Sequence, residues 1–156
     1  MKRWAFTGML LSIFVSMPVL AQTPSAPYPK VVSDLVANAK AQVTRIDMKE
    51  FKDRWDREKS PTVIDVRELD EFAAGHIPGA INIPRGVMEF RIWPYVGYPE
   101  KTDMNKRFYL YCKTGGRCSL AAKSLQDLGF TNVITVDMQF EDWQAAGYPV
   151  TEPELL

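Results

Sequence analysis

Short apolar runs, separated by stretches of helical spacing that end at glycine, constrain this chain more than any other feature. Residues 43–46, 63–66, 107–111 and 132–136 have strand length, and Val63-Ile64-Asp65-Val66 has the β-branched density of a buried strand. Between them, Asp47 with Glu50 three residues on predicts the start of a helix through Phe51 and Trp55, which Pro61 ends. A short helix is expected over 68–74 and a longer one over 119–128, with Leu120, Ala121, Ser124, Leu125 and Leu128 on one face. Gly75, Gly129 and Gly147 stand where the helices over 68–74, 119–128 and 141–146 should stop, and Phe130 should pack back on the turn before it. Ser33 reads as the N-cap of a further helix through Leu35, Val36 and Ala39. Residues 76–105, interrupted by Pro78, Pro84, Pro94 and Pro99, read as irregular. Strands that alternate with helices need crossovers rather than hairpins, so the expectation is an α/β domain with a mostly parallel sheet covered on both faces.

One such domain accounts for the length. A single core serves about 100–200 residues, and this chain has 156, of which 46% are hydrophobic and 24% charged. The N-terminus is a separate unit. Lys2 and Arg3 precede an apolar stretch, and Val19 and Ala21 occupy the small-residue positions before a cut, so residues 1–21 read as a signal peptide cleaved after Ala21. The stretch is short for a membrane span and Pro18 interrupts it, so no stable anchor is expected after cleavage. Export to a periplasm or out of the cell, where thiols tend to be oxidised, is the expectation. Residues 22–31, with Pro24, Pro27 and Pro29, read as a linker, and 32–152 as a single domain.

Charge balance narrows the chemistry. Nineteen Lys+Arg against 19 Asp+Glu give no net attraction to nucleic acid or anionic lipid, and loss of Lys2 and Arg3 moves the mature chain only to −2. Two Cys and one His are too few for a disulfide framework or a four-thiolate zinc site and leave little for metal ligation. Attention therefore falls on Cys112-Lys113-Thr114-Gly115-Gly116-Arg117-Cys118, between the 107–111 strand and the helix after it. Ligands of open α/β sheets bind at the carboxyl ends of strands, where Cys112 stands. The paired glycines let the backbone curl so that successive N–H groups form an anion nest, and the next helix adds its positive end. A thiol in that ring, beside Lys113 and Arg117, ionises more readily than a free cysteine. The residues alone leave a second reading open, in which Cys112 is buried filler and the glycines only turn strand into helix.

Several separated motifs, in order, resemble the rhodanese family. Val63 to Arg67, Glu71-Phe72 and the run Gly75-His76-Ile77-Pro78-Gly79-Ala80-Ile81-Asn82-Ile83-Pro84 resemble its N-terminal signature. Cys112 to Arg117 resembles its six-residue active-site loop, and Trp143 with Ala146-Gly147-Tyr148-Pro149-Val150 its C-terminal motif. The resemblance covers residues 43–150 and implies a three-layer fold with a parallel five-stranded sheet between helices. It implies a sulfurtransferase in which the Cys112 thiolate takes the outer sulfur of a small anionic donor such as thiosulfate. A persulfide results, which cyanide or a thiol then discharges, and the resemblance implies that no organic cofactor or metal is required. Amides from Lys113 to Cys118 would bind the anion and Arg117 would orient it. In this family the residue at Asp65 is chiefly structural; Arg67 is expected to pair with Glu71, and His76 to anchor its loop rather than act as a base.

Three departures accompany the matches. Cys118 stands where relatives commonly carry Ser or Thr; it reads as a weak hydrogen-bonding replacement, or as a resolving thiol that closes a disulfide with Cys112. Asp137-Met138-Gln139 replaces a glycine-rich turn and is expected to reshape the pocket wall. Residues 89–105 form a longer connection carrying Trp93, Tyr95 and Tyr98, for which core packing is the expectation over capping the pocket or meeting a partner. Two other functions compete with sulfur transfer. One is thiol redox or oxyanion reduction through Cys112 and Cys118, with a thiol-redox protein as partner. The other is a non-catalytic persulfide carrier. Four residues between Cys and Arg, one fewer than in phosphatase relatives of this fold, argue against phosphate.

Overall fold

The computed structural model describes residues 28–151. Its elements run α1 (Lys30–Gln42), β1 (Thr44–Asp47), α2 (Met48–Arg57), β2 (Val63–Asp65), α3 (Leu69–Ala73), β3 (Ile81–Asn82), α4 (Met88–Arg91), β4 (Phe108–Tyr111), α5 (Gly116–Asp127), β5 (Val133–Asp137) and α6 (Phe140–Ala145). Short 3-10 turns flank α4 at Arg85–Val87 and Trp93–Val96. The five strands form one parallel sheet in the order β1-β5-β4-β2-β3. The expected α/β architecture and its five-stranded parallel sheet are thus present.

Central β4 explains the layering. All four of its residues are buried, and successive side chains of a strand point to opposite faces. Phe108 and Leu110 enter a core shared with α5 and α4, and Cys112 continues their alternation on that face. Tyr109 and Tyr111 enter the opposite core, shared with α2 and α6. Helix α1 packs on α5, forming an outer wall.

Most local expectations hold with small shifts. The Asp47 carboxylate accepts the Glu50 N–H at 2.7 Å and starts α2. Gly129, at φ +99°, ends the α5 segment, and the Phe130 N–H returns to the Leu125 carbonyl. Helix α1 begins at Lys30 behind Pro29, not at Ser33, so residues 30 and 31 are helical rather than linker. Pro29 sets the entry conformation without a side-chain cap. Helix α5 begins at Gly116, inside the loop, and buries Cys118, Ser119, Ala121, Ala122 and Leu125. Leu128, expected on that face, is 38% exposed. The stretch read as irregular contains edge strand β3, whose two residues pair with Ile64 and Asp65 of β2. Within residues 89–105, Trp93 and Tyr95 pack against the α5-side core, whereas Tyr98 is 59% exposed, its ring tilted against Trp93.

The C-terminal motif closes the second core. Trp143 is fully buried among Phe51, Trp55 and Tyr148, and its Nε1–H donates to the Pro149 carbonyl at 2.9 Å. Trp143→Ala leaves a large void and an unpaired carbonyl; the expected cost is about 3–5 kcal/mol, read as a lowered urea midpoint at unchanged slope.

Candidate active site

The parallel pairing of β4 between β2 and β5 delivers Cys112 to the carboxyl edge of the sheet. From there the backbone turns through Gly115, at φ +82°, a conformation that glycine adopts without strain. Asp137 Oδ1 and Lys40 Nζ lie 3.1 and 3.2 Å from where a Cβ on Gly115 would stand. The turn wraps the sulfur. The Cys118 N–H donates to Cys112 Sγ at 3.4 Å, and Cys112 is 1% exposed. The Cys112 thiol is pulled down to about 6, first by the Cys118 side chain and then by the backbone N–H groups of Cys118, Thr114 and Gly115. Burial opposes this but loses, because aligned donors compensate the charge.

Cys118 is fully buried and, like Cys112, a free thiol. Its S–H lies within reach of the Gly115 carbonyl at 3.2 Å as well as of Cys112. One proton serves one acceptor, and a thiolate is the stronger, so Cys118 donates to Cys112 when Cys112 is ionised. The Cys112 anion and burial both hold Cys118 well above the usual thiol range. Ser119 Oγ–H also donates to the Gly115 carbonyl, at 2.7 Å, which ties the first turn of α5 to the loop.

The ionic surroundings differ from expectation. Arg67 pairs not with Glu71 but with Asp65, through Nε at 2.9 Å and Nη2 at 2.6 Å, and it also donates to the Gly75 carbonyl. Asp65 is fully buried two residues away and meets the guanidinium first. The Arg67 guanidinium also lies 4.0 Å over the Phe140 ring. Glu71 instead takes both arms of Arg117, at 2.5 and 2.8 Å, and Arg117 holds the Glu71 carboxyl down to about 2. Lys113 is more than half exposed and reaches Glu141 at 3.2 Å, while its carbonyl accepts the Phe140 N–H at the start of α6. His76 stacks on Phe72, bonds its carbonyl through Nδ1 at 3.0 Å, and bridges to Thr151 through its backbone.

Sequence reasoning missed Lys40. It lies on α1 and reaches Asp137 at 3.2 Å, beside Arg45, which shares that carboxylate. No local motif marks a contact spanning 97 residues; the Asp137 departure was its one visible trace. Thr114 and Gly116, with Lys113 and Arg117, line a cleft of about 840 Å³ whose far wall is α1. Among the described residues, no three His, Cys, Asp or Glu side chains gather as a metal site would require.

The donor role of Cys118 has a measurable consequence. Cys118→Ala removes a hydrogen bond to a charged group, worth about 1.5–3 kcal/mol, and so should raise the Cys112 pKa by roughly 1–2 units. Cys118→Ser restores a donor and should return the thiolate absorbance titration toward wild type.

Comparison with known proteins agrees with this fold. The Rhodanese-like domain family matches residues 47–146. A putative sulfur carrier protein of Bacillus subtilis is 32% identical over 103 residues, 66% of this chain and 52% of that protein. The thiosulfate sulfurtransferase GlpE of Pseudomonas savastanoi is 30% identical, over 60% of this chain and 80% of its own. A solved structure from Rhodopseudomonas palustris, described as a possible tyrosine phosphatase of unknown function, superposes at TM-score 0.65. It is 27% identical, with 87% of this chain and all of that one covered. The chain spans 52–59% of the length of several of the curated relatives it matches. The match over residues 47–146 places this chain in the rhodanese-like domain family.

Proposed function

We propose that the protein is a sulfurtransferase that carries sulfane sulfur on Cys112. The observation that carries this reading is a buried sulfur at the end of the central strand, enclosed by its own loop with the Cys118 N–H 3.4 Å away, an arrangement that pulls its thiol down to about 6. A thiolate attacks the outer sulfur of thiosulfate; the new bond joins the two sulfurs, the old S–S bond breaks, and sulfite leaves with its electron pair. The amides that stabilise the thiolate then stabilise the terminal sulfur of the persulfide, which has the same charge one atom further out. Cyanide or a thiol accepts that sulfur and regenerates the thiolate. The similarity to a thiosulfate sulfurtransferase supports this class of donor. The similarity to a putative sulfur carrier supports a second reading, in which a partner protein is the acceptor.

The geometry favours transfer over redox cycling through Cys118. That thiol is buried, held protonated, and placed to donate to Cys112 rather than to ionise and attack. We also infer export, on the basis of residues 1–21, which lie outside the described residues; N-terminal sequencing of the protein from a periplasmic fraction should begin at Gln22.

Incubation with thiosulfate should add one sulfur atom to the peptide containing Cys112, and cyanide should remove it as thiocyanate. Cys112→Ser should lose both the adduct and the turnover, to background. Undiminished thiocyanate formation by that variant would refute the assignment.

A further inference from the structure

The resemblance gives Arg117 the task of orienting the anionic donor, but the structure engages that side chain elsewhere. Both arms of its guanidinium are taken by the Glu71 carboxylate, which is held down to about 2. Lys113 is more than half exposed and meets Glu141. The cleft beside the loop has a third cation, Lys40, on the wall that α1 contributes.

Lys40 differs from the other two in how its charge is met. Its Nζ donates to Asp137 Oδ1 at 3.2 Å, while Arg45 donates to Asp137 Oδ2 at 2.5 Å. One carboxylate thus faces two cations, and the closer contact is with Arg45. Lys40, Arg45, Lys113 and Arg117 stand against Asp137, Glu141 and Glu71, so these ion pairs leave one positive charge in excess. Of the two residues that share Asp137, Lys40 is the one that lines the cleft. An ammonium has three N–H donors, and among the described residues Lys40 uses one of them. Its Nζ also lies 3.2 Å from where a Cβ on Gly115 would stand, and the Gly115 N–H is one of the amides that stabilise the Cys112 sulfur. The charge of Lys40 reaches the centre of the loop, where it favours ionisation of Cys118 against stronger opposing influences. The residue comes from α1, ahead of all the motifs that mark the family in this sequence.

We propose that Lys40 is the anion-orienting residue of this site, its ammonium holding the oxyanion end of the donor while the outer sulfur meets Cys112. This rests on the sulfurtransferase reading for the identity of the donor. With thiosulfate, the Cys112 thiolate bonds to the outer sulfur, the S–S bond breaks, and its electron pair leaves on sulfite. Total charge is unchanged by the step, and no proton, oxidant or reductant is needed. Negative charge builds on the departing sulfite, and a fixed cation beside it stabilises that transition state.

The test uses two alkylating agents with the same leaving group, anionic iodoacetate and neutral iodoacetamide. The ratio of their rates at Cys112 reports the attraction of an anion into the cleft; a change in thiolate content or partial misfolding scales both rates alike. Lys40→Met should lower the ratio by about fivefold or more, and kcat/KM for thiosulfate with it, whereas Lys40→Arg should hold both within about threefold of wild type. Asp137→Asn breaks the same ion pair from its other side and frees the ammonium, so it should raise the ratio by about twofold or more. A purely bracing role for the pair would move both variants the same way. An unchanged ratio in Lys40→Met, or a ratio that fails to rise in Asp137→Asn, overturns the proposal while leaving sulfur transfer intact. Ratios that move as stated while thiosulfate adds no sulfur to Cys112 overturn the sulfurtransferase reading and leave Lys40 as a guide for anions.

Discussion

A negative charge on a sulfur that is 1% exposed has to be compensated by its immediate surroundings, and the architecture of the site follows from that constraint. Among the described residues, no lysine or arginine contacts Cys112 as a hydrogen-bond partner; the donors are the Cys118 thiol and backbone N–H groups. Backbone can encircle one atom only by turning tightly, which Gly115 permits at φ +82° and which the start of α5 at Gly116 completes. The alternation along β4 fixes the side of the sheet on which this occurs, because Cys112 extends the face of Phe108 and Leu110.

Charges stand one step further out and serve mainly to hold elements in place. The buried Asp65–Arg67 pair, through the Gly75 carbonyl, ties the end of β2 to the end of the α3 segment. Arg117 and Glu71 join α5 to α3, Lys113 and Glu141 join the loop to α6, and Lys40 and Asp137 join α1 to the end of β5. Helices α1, α3, α5 and α6, which surround the loop, are thus each held by an ion pair.

What could be read from the sequence was what is local in the chain. The buried runs, the Asp47 cap and the glycine stops depend on neighbours within a few residues, and each is found within a residue or two of its expected place. Cys112 and its loop were legible for the same reason, since six consecutive residues make the ring. Edge strand β3 was not, because Ile81 and Asn82 are two residues between prolines and become a strand only by pairing with β2. The expected Arg67–Glu71 pair does not form, because the buried carboxylate of Asp65 captures Arg67 and leaves Glu71 to Arg117, 46 residues away. Lys40 and the α1 wall belong to the site only through packing on α5, which no spacing expresses.

The central claim is that the loop makes Cys112 a thiolate at neutral pH without help from a base. The rate of alkylation of Cys112 by iodoacetamide across pH measures this directly, with the modified residue identified by peptide mass. Half-maximal reactivity near pH 6 is the predicted result. A midpoint at the ordinary cysteine value of about 8.5 would contradict the account.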